Sequence, residues 1–158
     1  MINDKMTNDT RTALLTAAQS FTTTFLTTPP PSLLLTHFTH HHPSILIHEH
    51  GTPHPTLPFL GRPFHGAAGL HAYLAAVSTC LTHEGMRFTE YIVDAEARKV
   101  VVRGQARFTW RGNGQGWEEV FCYVLGFGRE EDRVERWEIW ADSGAAVLAS
   151  RGELEGGG

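Results

Sequence analysis

The chain has 158 residues, of which 41% are hydrophobic and 19% are charged. This length predicts a single domain with a hydrophobic core, and the composition is ordinary for a globular protein. A net charge of −4 at pH 7 argues against a nucleic acid or a membrane surface as partner, because both attract basic proteins. No apolar run approaches the roughly 20 residues that span a membrane. Cys80 and Cys122 form no paired motif, so we expect free thiols and a cytoplasmic location.

Apolar residues at helical spacing predict three helices before the last four strands. They lie at residues 10–27, directly after a predicted cap at Ser32, and at 67–82. Residues 1–9 are expected to be flexible. Three consecutive prolines at 29–31 end the first helix, because proline cannot continue a helix in the required hydrogen-bonding pattern.

β-branched and alternating stretches predict five strands, at residues 44–50, 87–94, 99–110, 117–127 and 133–142. Short turn-rich connections join the last four, which predicts an antiparallel meander. The segment GTPHPTLPFLGRPFHG separates the first strand from the third helix, and its apolar residues predict an ordered lid or rim. A short helix, SGAAVLAS, and a disordered tail at 151–158 follow the last strand.

This element order predicts the α+β class, with helices segregated from a mostly antiparallel sheet. A strongly curved sheet with helices on its concave face would leave a pocket at the open end. Both faces of strand 117–127 are apolar, and the helices cover only one of them. The other face therefore predicts a homodimer formed through the sheet.

Two stretches carry a resemblance to a known family. The third helix is entered through Gly61-Arg62-Pro63-Phe64-His65-Gly66, and VERWEIWAD (134–142) precedes Ala145-Ala146-Val147-Leu148. Together with the element order, these resemble the nuclear-transport-factor-2-like superfamily, and within it the SnoaL-like polyketide cyclases and related small fungal proteins. The resemblance covers residues 10–150 and implies a cystatin-like α+β cone.

The same resemblance implies a function. It favours a cofactor-independent isomerase, cyclase or dehydratase that uses acid–base chemistry on a hydrophobic small molecule of the polyketide or terpenoid kind. The alternative is a non-catalytic ligand-binding protein or a dimeric scaffold of the same fold, since fold alone does not fix function. An enzyme needs at least two titratable groups within reach of one substrate atom.

The last strand supplies the first catalytic candidates. Side chains alternate along a strand, so Glu138, Trp140 and Asp142 share one face. The resemblance implies an acid or base at the end of this strand, where Asp142 is the counterpart; its spacing to the tryptophan differs by one residue, which keeps Glu138 as the alternative. Burial in an aromatic pocket raises a carboxyl pKa, as proton transfer near neutral pH requires. The structural alternatives are an arginine partner for Glu138 and a helix cap for Asp142.

The neighbouring strand adds Tyr123, a candidate hydroxyl donor to a carbonyl or developing oxyanion, with a core aromatic as the alternative. The candidate substrate-binding residues are Trp140, Phe121, Phe108, Tyr73 and Phe59.

Six of the ten histidines lie in LTHFTHHHPSILIHEHG, residues 35–51. Those at 40–42 precede a proline at a turn and are expected to face solvent. His48 and His50 share one face of the first strand, opposite Glu49, and their imidazoles suit acid–base work or substrate orientation at the pocket mouth. A zinc site would need a third ligand, so no metal and no cofactor are expected.

Overall fold

The computed structural model describes residues 2–155. The helices in this part of the chain are α1 (Ile2–Leu26), α2 (Pro31–Leu35), α3 (Gly66–Cys80) and α4 (Ser143–Ser150). The strands are β1 (Leu46–His50), β2 (Pro63–His65), β3 (Leu81–Asp94), β4 (Lys99–Trp110), β5 (Gly116–Phe127) and β6 (Val134–Trp140). Within these residues, no helix combines the length and the apolar character needed to cross a bilayer.

The six strands form one sheet in the order β2-β1-β6-β5-β4-β3. β1 runs parallel to β6, and every other neighbouring pair is antiparallel. The predicted meander of the last four strands is therefore confirmed, and so is the α+β class. The pairing of the first strand with the last is the long-range contact that completes the sheet.

The sheet bends where its ladder is interrupted. β3 has two register shifts against β4, one beside Gly85, which adopts a φ of +63°. Such bulges increase the local twist and bend a strand. Gly104 on β4 allows a further close approach, because a Cβ there would lie 2.3 Å from the ring of Phe121 on β5.

A cluster of aromatic rings fixes the helices against the concave face. Trp137 of β6 is almost completely buried, and its indole packs edge-to-face with the rings of Phe21, Phe25, Tyr73 and Tyr123 at centroid distances of 5.3–5.5 Å. Edge-to-face pairs add to the hydrophobic gain of burying the rings. The cluster therefore joins α1, α3, β5 and β6 in one core.

The long segment between β1 and β2 is an ordered rim, as predicted. Leu57, Phe59 and Leu60 are buried at 1%, 2% and 4% exposure. Gly61 has a φ of +74°, a left-handed conformation that favours glycine, and its N–H donates to the Glu49 carbonyl at 2.9 Å. The rim is therefore tied to the end of β1.

Four local predictions differ from the structure. β3 begins at Leu81, directly after α3, and not at residue 87. α1 begins at Ile2 and not at residue 10; Asp4 in its first turn interacts favourably with the positive end of the helix dipole. Ser32 lies inside α2, which starts after Pro30 with Pro31 pre-set for the first helical turn. β2 was missed because three residues are too few to show alternation. The predicted tail extends to residues 156–158, outside the described residues.

Candidate active site in the cone

A cavity of about 710 Å³ lies between the concave face of the sheet and the helices. Aromatic and aliphatic side chains make up most of its wall, among them Phe25, Leu57, Phe59, Phe108, Phe121, Trp137 and Ile139. Its polar lining includes the buried Glu49, Tyr73, Glu119 and Tyr123, together with the exposed Asp142. This size and this mixture are typical of small-molecule sites.

Strand register brings two of these polar groups into one row. Glu49 on β1 pairs with Ile139 on β6, which pairs in turn with Tyr123 on β5. Neighbours directly across a sheet point to the same face. Glu49 and Tyr123 therefore both enter the cavity, on either side of Ile139.

Glu49 is a buried carboxyl with one neutral hydrogen-bond donor. It is 7% exposed, and the Tyr73 hydroxyl donates to its Oε2 atom at 2.9 Å. The pKa of Glu49 is raised to about 7, chiefly by burial; the Tyr73 hydrogen bond partly offsets the rise, and the charge of Glu119 adds to it. Glu49 can therefore take up or release a proton near neutral pH.

Tyr73 stays protonated and holds this carboxyl in place. Burial, followed by the charge of Glu49, raises the pKa of the Tyr73 hydroxyl well above its usual value. One Glu49 oxygen is thus fixed by a permanent donor from α3. The other oxygen has no protein donor among the described residues and is left for the contents of the cavity.

Glu119 is a second buried carboxyl, 8% exposed, on β5. The Trp117 indole N–H donates to its Oε1 atom at 3.0 Å. Burial raises the pKa of Glu119, and the hydrogen bond from Trp117 lowers it in part. The cavity therefore contains two carboxyls whose protonation is shifted towards neutral pH, a pattern common at catalytic sites.

The Tyr123 hydroxyl is open to the cavity. Its side chain is 5% exposed, and burial, followed by the charges of Glu49 and Glu119, raises its pKa well above the usual value. Within the described residues, the Tyr123 hydroxyl makes no hydrogen bond. It is also not fully enclosed, because Trp137 Nε1 is the one enclosed side-chain polar atom without a partner there. The Tyr123 hydroxyl can therefore be reached from the cavity.

The cavity brings together six of the residues predicted from the sequence: Tyr123, Asp142, Phe121, Phe108, Tyr73 and Phe59. Asp142 also caps α4, because its Oδ1 atom accepts the Ala145 N–H at 3.0 Å. That is the structural alternative expected for it. The catalytic or binding roles of these residues stay predictions.

Four predicted residues lie elsewhere. His48, His50, Glu138 and Trp140 are not among the described residues that line the cavity. His48 pairs with Glu138, and His50 with Trp140, on the outer face of the sheet. The expectation that they face the cavity is wrong. The buried side chains of these two strands belong to the opposite set, which includes Glu49 on β1 and Ile139 on β6.

On the outer face these residues form a stack. The ring of His50 lies between those of His48 and Trp140, at centroid distances of 4.1 and 4.3 Å. His50 Nε2 is 3.0 Å from Glu138 Oε1, and Arg136 lies 3.8 Å from the same oxygen. Glu138 thus has the basic partners of a structural carboxylate, although the arginine comes from its own strand and not from the next one.

No role was predicted for Glu49 or Glu119, although the sequence contains a signal for both. Glu49 alternates with Ile45 and Ile47, and Glu119 with Phe121 and Tyr123. A single acid within an otherwise apolar alternating set indicates a buried carboxyl.

The remaining histidine and cysteine predictions agree with the structure where they are tested. His40, His41 and His42 are exposed. Cys80 and Cys122 are free thiols. Within the described residues, no three side chains of His, Cys, Asp or Glu are grouped so that they could hold a metal ion.

The outer sheet face exposes large apolar side chains, including Ile92 (63%), Val120 (55%) and Trp140 (44%). The homodimer through this face stays a prediction. We expect light scattering after size exclusion to give twice the chain mass of 17.5 kDa, and Val120→Glu to give the single mass. Leu33→Glu, at an exposed position on α2, is the control that keeps the dimer; a wild-type monomer at all concentrations would contradict the prediction.

No protein-family model and no curated protein matches the chain. Solved structures do. An NTF2-like protein of unknown function from Burkholderia pseudomallei is 21% identical, with a TM-score of 0.67 over 87% of this chain and 96% of that one. The pinacolase BvnE from Penicillium brevicompactum is 20% identical, with a TM-score of 0.66 over 91% and 92%. TerC, co-crystallised with polyporic acid, is 22% identical, with a TM-score of 0.68 over 88% and 98%.

At these identities the likeness shows the fold. The chain has the nuclear-transport-factor-2-like fold, the α+β cone that the sequence predicts, and the solved structures that share it include a fungal pinacolase as well as a protein of unknown function.

Proposed function

We propose that this chain is a cofactor-independent enzyme that moves protons on a hydrophobic small molecule bound in the cone. The observation that carries the proposal is Glu49, a buried carboxyl with a pKa raised to about 7 on the wall of an apolar cavity. BvnE, a pinacolase, and TerC, crystallised with a small molecule, share the fold and support a small-molecule reaction. The reaction types in view are isomerisation, cyclisation and dehydration.

Glu49 is the general base in this proposal. Its ionised form takes a proton from a carbon or hydroxyl of the substrate while the Tyr73 hydroxyl donates to its Oε2 atom. The Tyr123 hydroxyl donates to a substrate oxygen on which electron density accumulates. Returning the proton from Glu49 to a different atom completes an isomerisation.

Glu119 supplies a second proton in the same cavity. Its raised pKa makes the protonated form available as a general acid for a leaving hydroxyl, which extends the chemistry from isomerisation to dehydration. A protein that only bound a neutral ligand would need neither carboxyl. A scaffold would be expected to fill its cone with side chains, and the cavity of about 710 Å³ argues for a ligand instead.

A generic base-catalysed reaction tests the proposal without knowledge of the substrate. In the elimination of nitrobenzisoxazole, a base removes the ring C–H proton, a nitrile forms, and the N–O bond breaks to give a coloured phenolate. We expect turnover that rises with pH and levels off with a midpoint of about 7, as ionisation of Glu49 requires. Turnover no faster than that of free acetate at the same pH would contradict the proposal.

A further inference from the structure

The cavity wall is rich in acids and poor in cations. Among the described residues that line it, Glu49, Glu119 and Asp142 are acidic. Arg111 is the one residue with a permanent positive charge in that set. Arg111 is exposed at the rim, where its Nε atom donates to the Ser78 carbonyl at 2.6 Å. Its charge therefore lies in solvent and not among the inner carboxyls.

The two histidines of the wall do not change this balance. His71 is exposed on α3. Burial lowers the pKa of His83 on β3, so that its neutral form dominates at neutral pH. Among the described residues, Arg111 at the rim is therefore the one permanently charged cation of the cavity wall.

The inner carboxyls are held by neutral groups only. Tyr73 donates to Glu49, and Trp117 donates to Glu119. Within the described residues, neither carboxyl forms an ion pair with a basic side chain; the ion pairs of the chain lie elsewhere. Buried charges are normally paired, so a positively charged ligand would supply the partner that the ionised carboxyls lack.

The remaining wall also suits a cation. Rings of Phe25, Phe108, Phe121 and Trp137 line the cavity, and aromatic faces attract ammonium and iminium ions. The Tyr123 oxygen and the second Glu49 oxygen, both without a protein donor among the described residues, can accept hydrogen bonds from N–H⁺.

We propose that the cavity takes a hydrophobic cation, a ring system that carries an ammonium or iminium nitrogen beside the inner carboxyls. This rests on the proposed function, which makes the cavity the reaction site. The chemistry is consistent: when Glu49 removes the proton from the carbon next to a C=N⁺ bond, that C–H pair becomes a C=C bond, the C=N π pair returns to nitrogen, and a neutral enamine results.

The pH dependence follows from the carboxyl that faces the ligand. Glu49 is ionised above about pH 7, so affinity for a cation rises through that value. The groups around Glu49 are the Tyr73 hydroxyl from α3, and Glu119 and the Tyr123 hydroxyl from β5. Both tyrosines stay protonated, and Glu119 changes in the same direction as Glu49.

Three naphthalenes of matched shape test the proposal. Dimethylaminomethyl-naphthalene is a cation, isobutylnaphthalene is its neutral isostere, and naphthylacetate is an anion; their intrinsic fluorescence reports binding to the full chain. We expect the cation to bind about tenfold tighter than its isostere at about pH 8.5, and to weaken about tenfold by about pH 6. The isostere should change less than about twofold over that range.

Variants assign the effect to the cavity. Glu49→Gln should bring the cation to the affinity of the isostere and leave the isostere unchanged, whereas Glu138→Gln on the outer face should alter neither. The proposal is overturned if the isostere binds wild type as tightly as the cation, if naphthylacetate binds more tightly, or if none of the three binds. If the protein catalyses the elimination of nitrobenzisoxazole as expected, but the cationic naphthalene binds no more tightly than its isostere, the proposed function stands and the cationic substrate class is ruled out.

Discussion

Glu49→Gln should lower kcat/KM for the elimination of nitrobenzisoxazole by roughly 10²–10⁴-fold. Glutamine has the size of glutamate and can still accept the Tyr73 hydroxyl, but it takes no proton at neutral pH. The loss should therefore fall on kcat, with KM nearly unchanged, because the wall of the cavity stays the same.

The matched control is Glu138→Gln. Glu138 lies on the outer face next to His50, outside the wall of the cavity, so its replacement should leave the pH profile unchanged. Equal losses in the two variants, or full turnover by Glu49→Gln with a native circular dichroism spectrum, would remove Glu49 from the mechanism.

Glu49 should also make the protein less stable as the pH rises. Below pH 4.5 the carboxyl is neutral in the folded and unfolded states; between 4.5 and about 7 it ionises only when the chain unfolds. The folded state then binds more protons, so the free energy of unfolding falls through this window, by about 3 kcal/mol in total if Glu49 keeps its raised pKa.

Glu49→Gln should remove that loss. Urea unfolding at a series of pH values should show the variant and wild type diverging between 4.5 and about 7, with the variant more stable at higher pH. Glu119 contributes a fall of the same sign in both proteins. Parallel curves for the two proteins would show that Glu49 has an ordinary pKa in the folded state.

A protein that keeps an ionisable group at such a cost gains something other than stability. Apolar residues at the positions of Glu49 and Glu119 would be expected to make the core more stable. Functional sites commonly keep residues that lower stability because activity requires them. The two predictions are therefore linked: the substitution that stabilises the fold should also remove the proton transfer.

Much of the fold was predictable because its signals are local. Helical spacing in α1 and α3, and short turns between β3, β4, β5 and β6, are written in contiguous stretches. The apolar residues of the segment after β1 likewise predicted an ordered rim, because Leu57, Phe59 and Leu60 had to pack somewhere. The family resemblance added the cone shape.

The site was harder because it depends on which face of a strand is concave. Alternation correctly separates His48 and His50 from Glu49, and Glu138 and Trp140 from Trp137 and Ile139. Which set points inward follows from the parallel pairing of β1 with β6, a contact between residues far apart in sequence. On the single strand β5, where Phe121 and Tyr123 dominate one face, the inward set was correct, and Tyr123 lies on the cavity wall.

The titration of Glu49 tests the central claim most directly. Carbon NMR of labelled glutamate side chains, assigned by comparison with Glu49→Gln, reports the carboxyl as it ionises. We expect one carboxyl resonance that is lost in the variant and that titrates with a pKa of about 7. A Glu49 resonance that titrates near 4.5, the ordinary value, would show that this carboxyl is solvated and would contradict its assignment as the base of an apolar cavity.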